Sequence, residues 1–292
     1  MITTELSKVE SRRRKVAVGE FDGVHLGHRA VIEGSDTVLT FEPHPRAVVG
    51  PTGAPLLLTT LEQKREAIAA LGVRELVVAT FDTEFSRMTA DRFIADVLIG
   101  ALGATEVSVG ANFRFGAKAT GDSEVLRADS RFETKVAEIV SGELGLISSS
   151  RIRAFLAEGE MEAASAMLGR PFEMWGVVGH GEKRGRELGY PTANLRPQPG
   201  CVVPAFGIYA CVANGHPAVA SLGVRPTFED EGEVLLEVHL LDYEGDLYGT
   251  ELHVAMLSRL RGEERFDSVD DLIAQMNRDS AAAAEVCKSH GN

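Results

Sequence analysis

Short β-branched runs alternate with helical segments as far as Leu168, and the alternation stops at Gly169-Arg170-Pro171. Strands joined through helices pair in parallel, since each crossover brings the chain back to the end of the sheet where it started. The stretch 1–169 therefore predicts an α/β domain with a parallel sheet. Its strands are expected at Lys15–Val18, Thr37–Phe41, Glu75–Ala79, Glu106–Gly110 and Glu133–Val140. Helices are expected at Leu61–Leu71, Ala90–Leu102, Arg151–Ala157 and Glu160–Leu168, with Thr60 and Thr89 placed as N-caps and Gly72 and Gly103 as stops.

Beyond the Gly-Arg-Pro break the pattern changes to strand-like runs at Glu173–Val178, Ile208–Val212, Ala218–Leu222, Val234–Leu241 and Glu251–Leu260, punctuated by Gly, Pro and Asp. That spacing predicts a small antiparallel β-barrel over residues 170–292. A final helix, Val269–Ala283, offers Leu272, Ile273 and Met276 as a stripe to pack on it.

At 292 residues the chain has room for two cores, and 44% hydrophobic with 25% charged residues is a globular balance. A net charge of -13 opposes a phosphate backbone, so nucleic acid is not an expected partner. Neither a signal peptide nor an apolar run of about 18 residues is present, so the expectation is a cytoplasmic chain with no membrane partner. The three cysteines, Cys201, Cys211 and Cys287, are too few and too scattered for a disulfide framework or a zinc site. No pattern assigns an oligomeric state.

Two segments carry chemistry in the first domain. Residues 16–28, VAVGEFDGVHLGH, run from a strand through a glycine-bearing loop to the expected start of a helix, a place that suits phosphate. His25 and His28 flank Gly27 and can both donate to charge developing on a phosphorus centre. Residues 147–153, ISSSRIR, put hydroxyls and guanidinium groups ahead of another helix, as an oxyanion cradle would. In the second domain, residues 180–194, HGEKRGRELGYPTAN, form a glycine-punctuated basic loop with no GxxxxGK[ST] phosphate motif.

The strings GEFDGVHLGH, TFEPHP at 40–45 and GANFRFG at 110–116 resemble the FMN adenylyltransferase module of bacterial bifunctional FAD synthetases, a Rossmann-like nucleotidyltransferase fold. The PTAN loop, SLGVRPTF at 221–228, EVHLLDYEGDLYG at 237–249 and RLRGEERFDS at 259–268 resemble the riboflavin kinase module of the same family. The resemblance implies phosphorylation of riboflavin to FMN, then adenylylation of FMN to FAD, with ATP as co-substrate and Mg²⁺ as cofactor. It implies that His25 and His28 stabilise the transition state at the α-phosphate. Gly19, Phe21, His44, Ser149, Ser150 and Arg153 would bind ATP, and Asn112, Phe113 and Phe115 would lie near the flavin. In the kinase module it implies Glu237 as base, Gly185 at the ATP site, Thr192 and Asn194 on Mg²⁺ and the ATP phosphates, and Arg261 and Glu263 near the flavin. Tyr190 stands where the family commonly has phenylalanine, a change that keeps the ring and is expected to matter little.

Only eight residues separate His28 from Thr37, where the family places a full helix and a loop. A parallel crossover needs about ten to twelve residues with its helix, so an incomplete crossover is expected here, with similar contractions at Ala128–Arg131 and Ala213–Pro217. Two rival functions start from the same motifs. HxGH and SSxxR mark a superfamily and not an acceptor, so another small phosphate could be adenylylated, but the kinase-like half argues against it. A flavin sensor without turnover would need neither a base nor transition-state donors, and this chain keeps both.

Overall fold

The computed structural model describes residues 1–179, 190–225 and 232–290. The chain divides into two compact units, Met1–Ser149 and Ser150–Asn292. Among the described residues, no helix is long and apolar enough to cross a membrane.

The first unit contains β1 (Ile2–Glu5), β2 (Arg14–Val18), α1 (Leu26–Ile32), β3 (Thr37–Glu42), α2 (Pro45–Val49), α3 (Leu61–Ala69) and β4 (Glu75–Thr80). It continues with α4 (Ala90–Arg92), β5 (Ala104–Gly110), α5 (Ser123–Arg127), β6 (Glu133–Ala137) and a two-stranded hairpin of β7 (Ser141–Gly142) and β8 (Gly145–Leu146). Six strands form one sheet in the order β1-β4-β3-β2-β5-β6, and every pairing is parallel. From β2 the chain builds outward through β3 and β4, then returns to the other side of β2 for β5. The carboxyl end of β2 is therefore the point where strand order reverses, the place at which open α/β sheets bind ligands.

Side-chain alternation along β2 supplies both faces of the sheet. Val16 and Val18 join the core with Leu39, Val77, Phe93 and Leu98, while Ala17 faces the other core with Val31, Ile32, Val38 and Ile68. At the amino end of β2, Arg14 is buried and donates from Nε to Glu75 Oε2 at 2.9 Å and from a terminal nitrogen to the Leu102 carbonyl at 2.8 Å. Arg12 reaches the same carboxylate at 2.6 Å. Burial pushes the Glu75 carboxyl up, but the Arg14 hydrogen bond and the charges of Arg14 and Arg12 outweigh it and hold the group below its ordinary range.

The second unit opens with α6 (Ser149–Glu158, whose first residue closes the first unit) and α7 (Met161–Leu168), then β9 (Phe172–Val177), β10 (Ala193–Leu195), β11 (Gly207–Ala213), β12 (His216–Arg225), β13 (Glu233–Leu240) and β14 (Glu251–Arg261). Its antiparallel sheet has the order β10-β13-β12-β11-β14-β9. A bridge between Gly179 and Asn194 brings its two edges together, with Gly179 N–H donating to the Asn194 carbonyl at 2.9 Å, so the barrel nearly closes. The last helix, α8 (Val269–His290), packs across β11, β12 and β14, and Cys287 donates to the Cys211 carbonyl at 3.2 Å.

The expected crossover defect is corrected. The connection from β2 to β3 comprises residues 19–36 and includes all of α1, whose N-cap is His25. Counting from His28 omitted the loop and the first turn of the helix. The other two contractions are ordinary turns. Ala128 and Asp129 close α5 by backbone bonds to Glu124 and Leu126. Asn214-Gly215, both at positive φ, makes a two-residue hairpin between Ala213 and His216.

Other boundaries differ for local reasons. The helix expected over Ala90–Leu102 is α-helical only through Arg92 and continues as a π-helix over Phe93–Ala101. β6 ends at Ala137 because the chain turns into the β7–β8 hairpin. α8 runs past Ala283 to His290, since the run Ala281–Ala284 favours helix and Cys287 extends the buried stripe. β1 and the three-residue β10 are too short for the period-two pattern to reveal.

Glu75→Gln leaves the buried Arg14 charge without its partner, and the loss expected is about 3–5 kcal/mol of first-unit stability. Denaturant unfolding followed by circular dichroism measures it, and an unmoved midpoint would mean that the pair contributes nothing.

Candidate active sites

The loop after β2 is built around two residues in a left-handed backbone, Phe21 at φ +53° and Val24 at φ +43°. For a β-branched valine this conformation is strained, on the order of 1–3 kcal/mol, and it persists because the surroundings hold it. Phe21 and Val24 are buried in the core beneath the loop. The Asp22 carboxylate accepts the backbone N–H groups of Leu58 and Thr59 at 2.9 and 3.1 Å, pinning the loop to the segment before α3. Gly19 is needed beside Phe21, because a β-carbon there would stand 2.9 Å from the ring. The predicted ATP contacts Gly19 and Phe21 thus shape the loop, and Phe21 does so from a position 2% exposed.

His25 caps α1 by accepting the His28 backbone N–H on Nδ1 at 3.2 Å. An accepting Nδ1 places the proton of neutral His25 on Nε2. The two imidazoles stack with centroids 3.5 Å apart, and a β-carbon on Gly27 would press on the His25 ring at 3.2 Å. His28 lies edge-on to Phe21, and its Nδ1 is buried with no hydrogen-bond partner among the described residues. Burial, then the charges of His25 and Lys64, hold His28 well below the ordinary histidine range, so its ring is neutral at pH 7.

Lys64 and Glu20 are site residues that the sequence reading missed. Lys64, whose side chain is 3% exposed, donates to Glu20 at 3.2 Å and to Thr40 Oγ1 at 3.4 Å. The available signal was a lysine four residues before Ile68 on the buried face of α3, where an apolar residue belongs.

The remaining candidates of the adenylyltransferase module lie on several elements. His44 caps α2 by accepting the Arg46 N–H at 3.1 Å. Asn112 is exposed beyond β5, and Phe113 stacks on Phe115 with centroids 5.6 Å apart. Phe115 is a core residue, packed on Phe93 and under Gly121. Ser149 donates to the Asp22 carbonyl at 3.0 Å and so joins the histidine loop. Ser150 and Arg153 follow on α6 within the second unit, where Arg153 shares a helix face with Ser149.

In the barrel, strand register assembles a row across five strands. Asn194 on β10 faces Glu237 on β13, Glu237 faces Ser221 on β12, Ser221 faces Ile208 on β11, and Ile208 faces Arg261 on β14. All five line one cavity of about 850 Å³, together with Thr192 and Glu263. Asn194 is buried, donates to the Thr192 carbonyl at 3.3 Å, and leaves its Oδ1 without a partner among the described residues. Arg261 binds Asp279 of α8 through Nε and a terminal nitrogen, the latter at 2.7 Å, while Glu263 reaches over Gly223 where a β-carbon would collide with its carboxylate. Gly185 lies outside the described residues.

Burial pushes the Glu20 carboxyl up to about 7, with Lys64 opposing. Its folded pKa exceeds the unfolded value of 4.5, so its contribution is full below pH 4.5 and is lost as pH rises through 7. Stability should fall by about 3 kcal/mol across that window from this group. Glu20→Gln should flatten the slope of denaturation midpoint against pH between 4.5 and 7, and an unchanged slope would refute the assignment.

Comparison with known proteins matches both halves of the chain. The FAD synthetase family model matches residues 7–151, and the riboflavin kinase family model matches residues 168–287. Curated proteins called bifunctional riboflavin kinase/FMN adenylyltransferase are similar over nearly the whole chain. That of Listeria monocytogenes is 38% identical, covering 94% of this chain and 91% of its own length. That of Escherichia coli K12 is 37% identical, covering 96% and 95%. A crystal structure from Streptococcus pneumoniae, described as a macrolide-efflux protein, superposes with a TM-score of 0.88 at 31% identity over 97% of this chain and 99% of that one. Similarity of this extent, on a parallel sheet with HxGH at its switch point and a barrel whose cross-strand row includes Glu237, places the chain in the bifunctional riboflavin kinase/FMN adenylyltransferase family.

Proposed function

We infer that this chain performs two ATP-dependent steps on one flavin, phosphorylating riboflavin to FMN with residues 170–292 and adenylylating FMN to FAD with residues 1–169. The observation that carries the reading is the row Asn194–Glu237–Ser221 facing a cavity large enough for a flavin and a nucleotide. Its setting is a chain with no membrane-spanning helix among the described residues, and we place the enzyme in the cytoplasm.

In the kinase step Glu237 takes the proton of the riboflavin 5′-hydroxyl. The oxygen attacks the γ-phosphorus, the bond to the β–γ bridging oxygen breaks, and ADP leaves. The buried Oδ1 of Asn194, without a partner among the described residues, fits a hard cation, since an amide oxygen at such a position needs an electropositive neighbour. Mg²⁺ held by Thr192 and Asn194 would neutralise charge on the ATP phosphates. Gly185 belongs to the same ATP site by family resemblance, and Arg261 and Glu263 border the flavin, with Arg261 steadied by Asp279.

In the adenylyl step no protein nucleophile is required. A phosphate oxygen of FMN attacks the α-phosphorus of ATP, the α–β phosphoanhydride bond breaks, and pyrophosphate leaves. His25 through Nε2 and His28 through its ring N–H donate to the oxygens that gain charge. Ser149, Ser150 and Arg153 hold the triphosphate and His44 borders ATP, while Asn112 and Phe113, backed by Phe115, border the flavin.

Incubation with riboflavin, ATP and Mg²⁺, with chromatographic separation over time, should give FMN first and FAD after it. Glu237→Gln should slow FMN formation by about 10²–10⁴-fold and leave adenylylation of added FMN intact. His28→Ala should slow FAD formation by about 10²–10³-fold and leave FMN formation intact. Loss of both steps in either variant would contradict the division of labour.

A further inference from the structure

Tyr190 carries a hydroxyl where its family commonly has phenylalanine, and the structure uses that oxygen. It donates to Asn277 Oδ1 on α8 at 2.6 Å, across 87 residues of sequence. The Tyr190 ring packs edge-on against His239, with centroids 5.1 Å apart. His239 meets the Pro191 carbonyl through Nδ1 at 2.9 Å, and because a carbonyl only accepts, Nδ1 carries the proton.

These contacts join three walls of one cavity. Residues 190–192 lead directly into Asn194, His239 lies two residues from Glu237 on the same face of β13, and Asn277 follows Met276, which lines the cavity from α8. The loop that holds Thr192 is therefore gripped from β13 by the histidine and from α8 by the tyrosine hydroxyl. Tyr190 is half-buried and Asn277 exposed, so the bond lies at the rim of the cavity.

We propose that Tyr190 is a positioning residue of the kinase step, its hydroxyl strapping the loop that carries Thr192 and Asn194 to α8. Only the oxygen is at issue, since phenylalanine would keep the ring against His239. A bond of this kind has a net effect of about five-fold in an equilibrium, and in a positioning role that factor appears in turnover with MgATP.

The inference rests on the cavity being the kinase site, which Glu237→Gln tests independently: if that variant still makes FMN at the normal rate, the site assignment fails whatever Tyr190 does. With the full chain and varied MgATP, Tyr190→Phe should lower kcat/KM for FMN formation about five-fold and leave adenylylation of added FMN unchanged. Asn277→Ala should match it, and the double variant should be no worse than either single one. Asn277→Asp keeps an acceptor for the hydroxyl and should stay near the parent rate, which a loss of general packing on α8 would not give. Melting followed by the fluorescence of Trp175, the only tryptophan of the chain and part of β9, checks that the barrel is folded in each variant. Unaltered kinetics in Tyr190→Phe would overturn the proposal. So would multiplying losses in the double variant, or Asn277→Asp as impaired as Asn277→Ala.

Discussion

In a sheet with a side-chain period of two, pairing β13 between β10 and β12 leaves Glu237 only one side of the barrel to face. The same registers bring Asn194 and Ser221 beside it, and continue to Ile208 and Arg261. A slip of one residue on any of these strands would turn that strand's member of the row to the opposite face. Near-closure through Gly179 and Asn194 protects the register, because it ties down the three-residue strand β10, which has few ladder bonds of its own. The kinase cavity therefore depends on backbone hydrogen bonding first and on side-chain contacts second.

The parallel sheet of the first unit handles charge differently at its two ends. At the amino end, Arg14 and Glu75 satisfy each other and a backbone carbonyl, an arrangement in which every buried donor has a partner or faces Arg12's shared carboxylate. At the carboxyl end the accounting is incomplete. Glu20 has one unpartnered buried oxygen and His28 one unpartnered buried nitrogen. Unsatisfied polar atoms are costly inside a protein, and these two lie at the switch point, where a ligand would supply the partners. The strained backbone at Phe21 and Val24 belongs to the same loop, so strain and unmet hydrogen bonds coincide.

Much of this was legible in the residues. β-Branched runs marked ten of the twelve strands that form the two large sheets, and HxGH located the first site because its histidines are close in sequence. The second site was legible only through family resemblance, since Thr192, Glu237 and Arg261 are distant in sequence and meet through register that no local pattern encodes. Lys64 escaped because an amphipathic helix reading treats one charge on the buried face as noise, and its meaning comes from Glu20, forty-four residues earlier. The crossover was misread for a geometric reason: a seven-residue helix suffices when a long loop precedes it.

A net charge of -13 makes polyanionic substrates a problem of local design. In the first unit the answer is not a broad cationic face. His28 is kept neutral by burial, then by the charges of His25 and Lys64, so the free protein does not bear an additional buried cation there. If the proposed site is correct, a triphosphate at the loop would reverse that balance, because a nearby anion favours the protonated ring and burial strengthens the attraction. The environment that makes the imidazolium unfavourable without ligand is thus the one that makes it most responsive to charge growing on the α-phosphate. In the proposed adenylyl step, burial would serve as preorganisation: the donor is positioned by α1 in advance, and its full charge would be called up only by the anion.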